Sequence, residues 1–183
     1  MARARLGIAV ILCFTVVGCG SGSDSKSANH ATIAQGSMTS GCSGAMVGTG
    51  SNDWRPLATA VGRFGVYGTG RDFRTAQKTP VADFGGLQQR QVPGPILVTK
   101  TPFVVEGTNP LEVAIAPDDR VRAGLVVAPF GGGPYAEVRL IPCRDQPRTS
   151  WPAGWVLRDP DRVTVLIRQD NGPEARLVVG RPK

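Results

Sequence analysis

Twenty-four glycines and fifteen prolines are spread through this 183-residue chain, and that punctuation constrains its fold more than any other feature. In a helix interior glycine costs about 1 kcal/mol and proline about 3 kcal/mol relative to alanine. From about Thr59 onward the chain is therefore expected to form short extended segments separated by turns. Two segments show the two-residue period of a half-buried strand. In "LEVAIA", Leu111, Val113 and Ile115 fall on one side and Glu112 on the other. In "RVTVLIRQ", Val163, Val165 and Ile167 oppose Arg162, Thr164 and Arg168.

Six further strands are expected at Val61 to Tyr67, Pro102 to Glu106, Ala123 to Pro129, Ala136 to Ile141, Gly154 to Arg158 and Ala175 to Val179. Eight strands separated by Gly, Pro, Asp and Asn are the pattern of an all-β chain, an antiparallel β-sandwich of immunoglobulin-like or similar type. "DNGP" at Asp170 to Pro173 predicts a tight connection between the last two strands, because Asn and Gly tolerate positive φ. "PDDR" at Pro117 to Arg120 is expected to join its two flanking strands in the same way. No repeat of 20 to 50 residues is visible, which argues against propellers and solenoids.

The first residues set location. Arg3 and Arg5 precede an apolar run from Leu6 to Val17, followed by Gly18 and Cys19, which is the order of a secretory signal. The run is shorter than the roughly 20 apolar residues a transmembrane helix needs. "VVGC" at Val16 to Cys19 resembles the bacterial lipobox, which implies cleavage before Cys19 and a lipid on its thiol. Residues 1–18 are then a signal peptide, taking Cys13 with them, and two or three acyl chains on Cys19 hold the protein at the outer face of the cell membrane. Residues 19–41, with almost no large apolar side chain, are expected to be a disordered tether, and residues 42–183 the sandwich domain.

Removal of residues 1–18 takes Arg3 and Arg5 from the 21 basic residues, leaving 19 against 14 acidic ones, a formal charge of +5. The arginines are scattered, and "RDFRTAQK" at Arg71 to Lys78 is the one dense group. Arg71 and Arg74 are the candidates for contact with an anionic lipid or wall polymer. No motif combining stacking aromatics with basic residues points to nucleic acid.

The second half of the chain carries "KTPFVVEG", "LEVAIAPDDRVRAGLVV" and "IPCRDQPRTSWPAGWVLRDPDRVTVLIRQDNGPEARLVVG". It resembles a family of exported actinobacterial proteins, often lipoproteins. Their common ending is Cys, then Thr-x-Trp with Gly, an apolar strand, Cys-Val-x-Leu-x-Val, and a last strand closing on Gly. Thr149, Trp151, Gly154, Val163 and Val165 match that ending, and "DWRPLATAVGRFGVYGTGR" resembles the family's first strand. The cysteine that precedes the Val-x-Leu-x-Val strand is replaced here by Asp161-Arg162. The resemblance implies fold and location and carries over no activity.

Chemistry is sparse. The single histidine, His30, lies in the expected tether, where nothing orients it for Ser-His-Asp or Cys-His nucleophile chemistry or for metal binding. Cys42 and Cys143 lack Cys-x-x-Cys spacing and the further ligands zinc needs. No metal or cofactor site is expected. In an oxidising compartment these two cysteines can pair; the alternative is two buried free thiols. Asp118-Asp119 and Asp159/Asp161 sit where turns favour aspartate, although paired carboxylates can also hydrolyse a glycoside without histidine. "PFGGGPY" at Pro129 to Tyr135 lacks the Lys-Ser/Thr of a phosphate loop and reads as a strand connection, and "YGTGRDF" at Tyr67 to Phe73 fails on the same ground.

Two tryptophans flank Pro152. Trp155 shares a strand face with Leu157 and is expected in the core. Trp151, in the preceding loop, is either an exposed binding platform or a cover for the end of the sandwich. Trp151, Tyr135, Arg71 and Arg74 are thus the candidate binding residues of a module whose partner is an envelope protein or glycan. A carboxylate-dependent glycan hydrolase and a purely structural envelope protein are the alternatives.

Overall fold

The computed structural model describes residues 32–46, 55, 58–67, 96–130, 132–158, 162–169 and 172–180. Within them run twelve strands: β1 Ser37–Ser40, β2 Ala58–Val61, β3 Phe64–Tyr67, β4 Leu97–Lys100, β5 Phe103–Glu106, β6 Leu111–Ile115, β7 Ala123–Val127, β8 Glu137–Leu140, β9 Arg148–Trp151, β10 Ala153–Leu157, β11 Arg162–Gln169 and β12 Ala175–Gly180. The chain is all-β, as its punctuation requires, and among the described residues no helix is long and apolar enough to cross a membrane.

One layer is a five-stranded sheet in the order β1-β8-β6-β11-β12. The other is formed by two shorter sheets, β2-β3-β5-β9 and β4-β10-β7, that share two long strands. Lys100 pairs with Gly154 and Phe103 with Trp151, so two residues intervene on each side and the register is unbroken. The Thr101 N–H donates to the Ala153 carbonyl across the gap at 2.9 Å. Pro102 and Pro152, each lacking an amide hydrogen, mark the break in the ladder.

The core lies between the layers. Leu111, Val113, Ile115, Val138, Leu140, Val163, Val165, Ile167, Leu177 and Val179 come from the five-stranded sheet. Phe64, Val66, Phe103, Val105, Leu125, Val127, Trp151, Trp155 and Leu157 meet them from the other side. Phe103 stands edge-on to both Phe64 and Trp155, with ring centroids 5.5 Å apart in each pair, the geometry that the ring quadrupoles favour. The β4-β10-β7 sheet is also apolar on its outer face. There Val98, Val126 and Val156 form a second cluster with Ile33, flanked by Ile96 and Phe130.

Several expectations change. The folded part does not begin at Cys42: Ile33 is 2% exposed, and β1 pairs with β8 from Ser37↔Glu137 to Ser40↔Leu140. Residues 32–41 are therefore part of the domain. The β1–β8 pair is parallel, so the sandwich is not wholly antiparallel. The strand expected over Val61 to Tyr67 is a hairpin, β2 and β3, turning at Gly62-Arg63, with Gly62 at φ 56°. Strands β4 and β9 have no counterpart among the eight expected segments. Finally, "PDDR" does not join a hairpin. Its single 3-10 turn, Pro117–Asp119, carries the chain from β6 in one layer to β7 in the other.

Candidate functional site

The aspartates of that crossover have a structural task. Asp119 is nearly buried; its Oδ1 accepts from Arg122 Nε at 3.0 Å and Nη2 at 2.7 Å, and its Oδ2 accepts from the Thr164 N–H at 2.6 Å. That carboxylate ties the crossover to β11 and is occupied as an acceptor. The remaining acids on the outer face of the five-stranded sheet are paired in the same way. Glu112 bonds Arg139, and Glu137 and Glu174 both bond Arg168. The Arg168 guanidinium is held above its ordinary pKa, chiefly by its hydrogen bond to Glu174. Among the described residues no three His, Cys, Asp or Glu side chains are grouped to hold a metal ion.

Cys42 and Cys143 form a disulfide, with Cα atoms 4.9 Å apart. It pins the end of the N-terminal arm, residues 32–46, across the mouth of the sandwich. Beneath lies Trp151, fully buried, whose Nε1–H donates to the Gly41 carbonyl at 3.1 Å. Trp151 is therefore not an exposed platform; of the two sequence alternatives, it covers the sandwich end from within. The reason is strand geometry. Because β9 and β10 run on through Pro152, residues 151 and 155 are an even number apart and share the inward face. Trp155 is buried as expected.

Tyr135 is the sequence candidate that lies on a cleft. Its N–H and carbonyl exchange hydrogen bonds with Leu125 at 2.8 and 2.9 Å, which fixes it beside β7, and its ring leans half-buried on the core. Gly132 and Gly133 of "PFGGGPY" lie against that ring. A Cβ on Gly133, whose φ is 85°, would come within 2.8 Å of Cδ2, and one on Gly132 would meet the hydroxyl, so a side chain at either position would displace the ring. Across from the loop runs the arm, held by Ala34 N–H to the Arg120 carbonyl and Gln35 N–H to the Pro134 carbonyl, both at 3.0 Å.

Between arm and loop is an open cleft of about 440 Å³ lined by Ile33, Gln35, Gly133, Pro134 and Tyr135. Among the described residues the lining carries no charged side chain. It combines the exposed Gln35 carboxamide, whose Nε2 donates to the Thr32 carbonyl at 3.3 Å, and the Tyr135 phenol with the buried Ile33 and Pro134; the two polar groups can exchange hydrogen bonds with a neutral ligand. Sequence reading missed Ile33 and Gln35 because they fall in the expected tether. The available signal was Ile33 itself, a β-branched residue standing five before Met38 in an otherwise small and polar stretch.

Cys19, His30, Arg71, Arg74, Asp159 and Asp161 lie outside the described residues. No family model, curated protein or solved structure matches the chain.

Proposed function

We propose that this chain is a lipid-anchored, extracytoplasmic binding module of the bacterial cell envelope, attached through Cys19 and binding a neutral envelope ligand in the cleft beside Tyr135. The cleft carries the binding half of this reading, because it is concave, combines apolar and polar groups, and is built by two segments the fold holds in place. The lipobox-like start and the Cys42–Cys143 bridge support the location, since disulfides persist in oxidising compartments. Thr32 is thirteen residues from Cys19, and even a fully extended link of that length spans no more than about 45 Å. The cleft, formed by the first residues of the domain, would therefore work close to the membrane. A carboxylate-dependent hydrolase has less to draw on, because Asp119, Glu112, Glu137 and Glu174 are each engaged by arginine.

Two measurements test the two halves. Cys19→Ser is expected to move the protein from the detergent phase to the soluble or unprocessed fraction, since the anchor thiol is gone; unchanged partitioning refutes the anchor. Titration of the chain with soluble envelope glycan fragments, followed by amide NMR, is expected to shift Gln35, Gly133 and Tyr135. Gln35→Ala should weaken that binding about fivefold, the scale of one lost hydrogen bond. Binding with shifts confined elsewhere would remove the cleft from the reading.

A further inference from the structure

The two sulfurs of the bridge are not equivalent. Cys42 opens a single 3-10 turn, Cys42–Gly44, and is exposed. Cys143 is 7% exposed, and its N–H donates to Thr149 Oγ1 at 2.9 Å, fixing it against β9. Exchange requires a thiolate to reach one sulfur of the bond, and of the two cysteines Cys42 is the exposed one and Cys143 the buried one. Access decides which sulfur is attacked.

What the bridge fastens is also specific. Gly41 accepts the Trp151 indole N–H at 3.1 Å, Met46 N–H donates to the Ser150 carbonyl at 2.7 Å, and Ser40 Oγ donates to the Ala128 carbonyl. Residues 41–46, which follow directly on the laddered end of β1 at Ser40, thus form a cap over Trp151. Apart from the bridge, single hydrogen bonds and the packing of Ala45 against the core hold it in place, whereas the sandwich beneath is held by continuous ladders.

We propose that Cys42 Sγ is the point at which an extracytoplasmic dithiol oxidoreductase of the Cys-x-x-Cys type exchanges with this chain, and that exchange there fastens or releases the cap over Trp151. In fastening, the Cys42 thiolate attacks the partner's disulfide. A Cys42–partner bond forms, and the partner's other sulfur leaves as a thiolate. The Cys143 thiolate then attacks Cys42 Sγ, forming the Cys42–Cys143 bond and expelling the partner's first sulfur. The chain gives up two electrons and two protons, and the partner disulfide takes both and departs as the dithiol. Release is the reverse: a partner thiolate attacks Cys42 Sγ and Cys143 departs. The partner's compartment follows from the location proposed above, but the choice of sulfur and the release of the cap do not depend on it.

The test uses the purified, oxidised full chain and a reduced thioredoxin-type protein whose resolving cysteine is serine, so that the mixed disulfide accumulates. Peptide mapping is expected to place the partner on Cys42 in about tenfold excess over Cys143, because the accessible sulfur is the one attacked. Full reduction by a phosphine should then red-shift tryptophan emission and raise its quenching by acrylamide, with both changes absent in Trp151→Phe. Amide protection in β6 and β11 should persist. Trapping on Cys143, no trapping, or unchanged emission after reduction overturns the proposal. Loss of protection in β6 and β11 together with the emission change overturns it as well, since the bridge would then hold the whole fold rather than a cap.

Discussion

Trp151→Ala is expected to destabilise the domain by about 3–5 kcal/mol, as much as Trp155→Ala, since truncating a core tryptophan removes its apolar transfer term and leaves a cavity. The two rings are fully buried and belong to one cluster. They differ in what surrounds them. Trp155 stands beside Phe103 in the middle of the layer; Trp151 lies at the mouth, with its indole N–H on the Gly41 carbonyl. Trp151→Phe keeps much of the volume and loses that bond, so it should cost only about 1–2 kcal/mol, the hydrogen bond plus a small cavity. Urea unfolding of the three variants checks the order. A loss for Trp151→Ala well below that for Trp155→Ala would put the Trp151 ring outside the core.

The tryptophan pair shows how much of this fold is legible in the amino-acid sequence. In β6 and β11 every second residue (Leu111, Val113, Ile115; Val163, Val165, Ile167) faces the core, and although Ala114 and Leu166 are buried on the opposite face as well, the period shows and the strand limits can be read to within a residue. Strands buried on both faces do not alternate. "AGLVV" in β7 and "AGWVL" in β10 are buried at every position, because the outer face of their sheet is covered by Ile33 and its neighbours. An unbroken apolar run gives no face to assign. Proline is the second source of error. Pro152 reads as a strand end, yet its missing amide interrupts the ladder for one residue only, and β9 and β10 continue in register on either side.

The arm is illegible for another reason. Residues 32–46 contribute little apolar area, and their order comes from backbone pairing to β8 and from single anchors such as Ile33. Composition measures side chains and is blind to a strand held by its amides. That is also why the cleft cannot be assembled from sequence. Tyr135 is visible as an aromatic after a glycine run, but its partners Ile33 and Gln35 are about a hundred residues away in a segment that reads as linker. The disulfide is the exception, since Cys42 and Cys143 are the only cysteines after Cys19 and have only each other to pair with in the folded part.

Removing the bridge should produce the other large effect. Cys42 and Cys143 are 101 residues apart, and closing a loop of that size restricts the unfolded chain by an amount worth about 4–5 kcal/mol on the entropic account. The Cys42→Ser/Cys143→Ser double variant is therefore expected to unfold at a lower urea midpoint, with a loss approaching that figure. The dependence on urea should also steepen, because an unfolded chain without the cross-link exposes more surface. Domains of this size are stable by about 5–15 kcal/mol, so the sandwich should remain folded in the absence of denaturant. This is the condition under which the cap over Trp151 can open alone. A double variant with the wild-type midpoint and slope would show that the unfolded chain is already constrained without sulfur, whereas one that fails to fold would make the bridge a requirement of the whole sandwich. The expected result lies between them, since the backbone pairing of the arm to β8, from Ser37↔Glu137 to Ser40↔Leu140, does not include either cysteine.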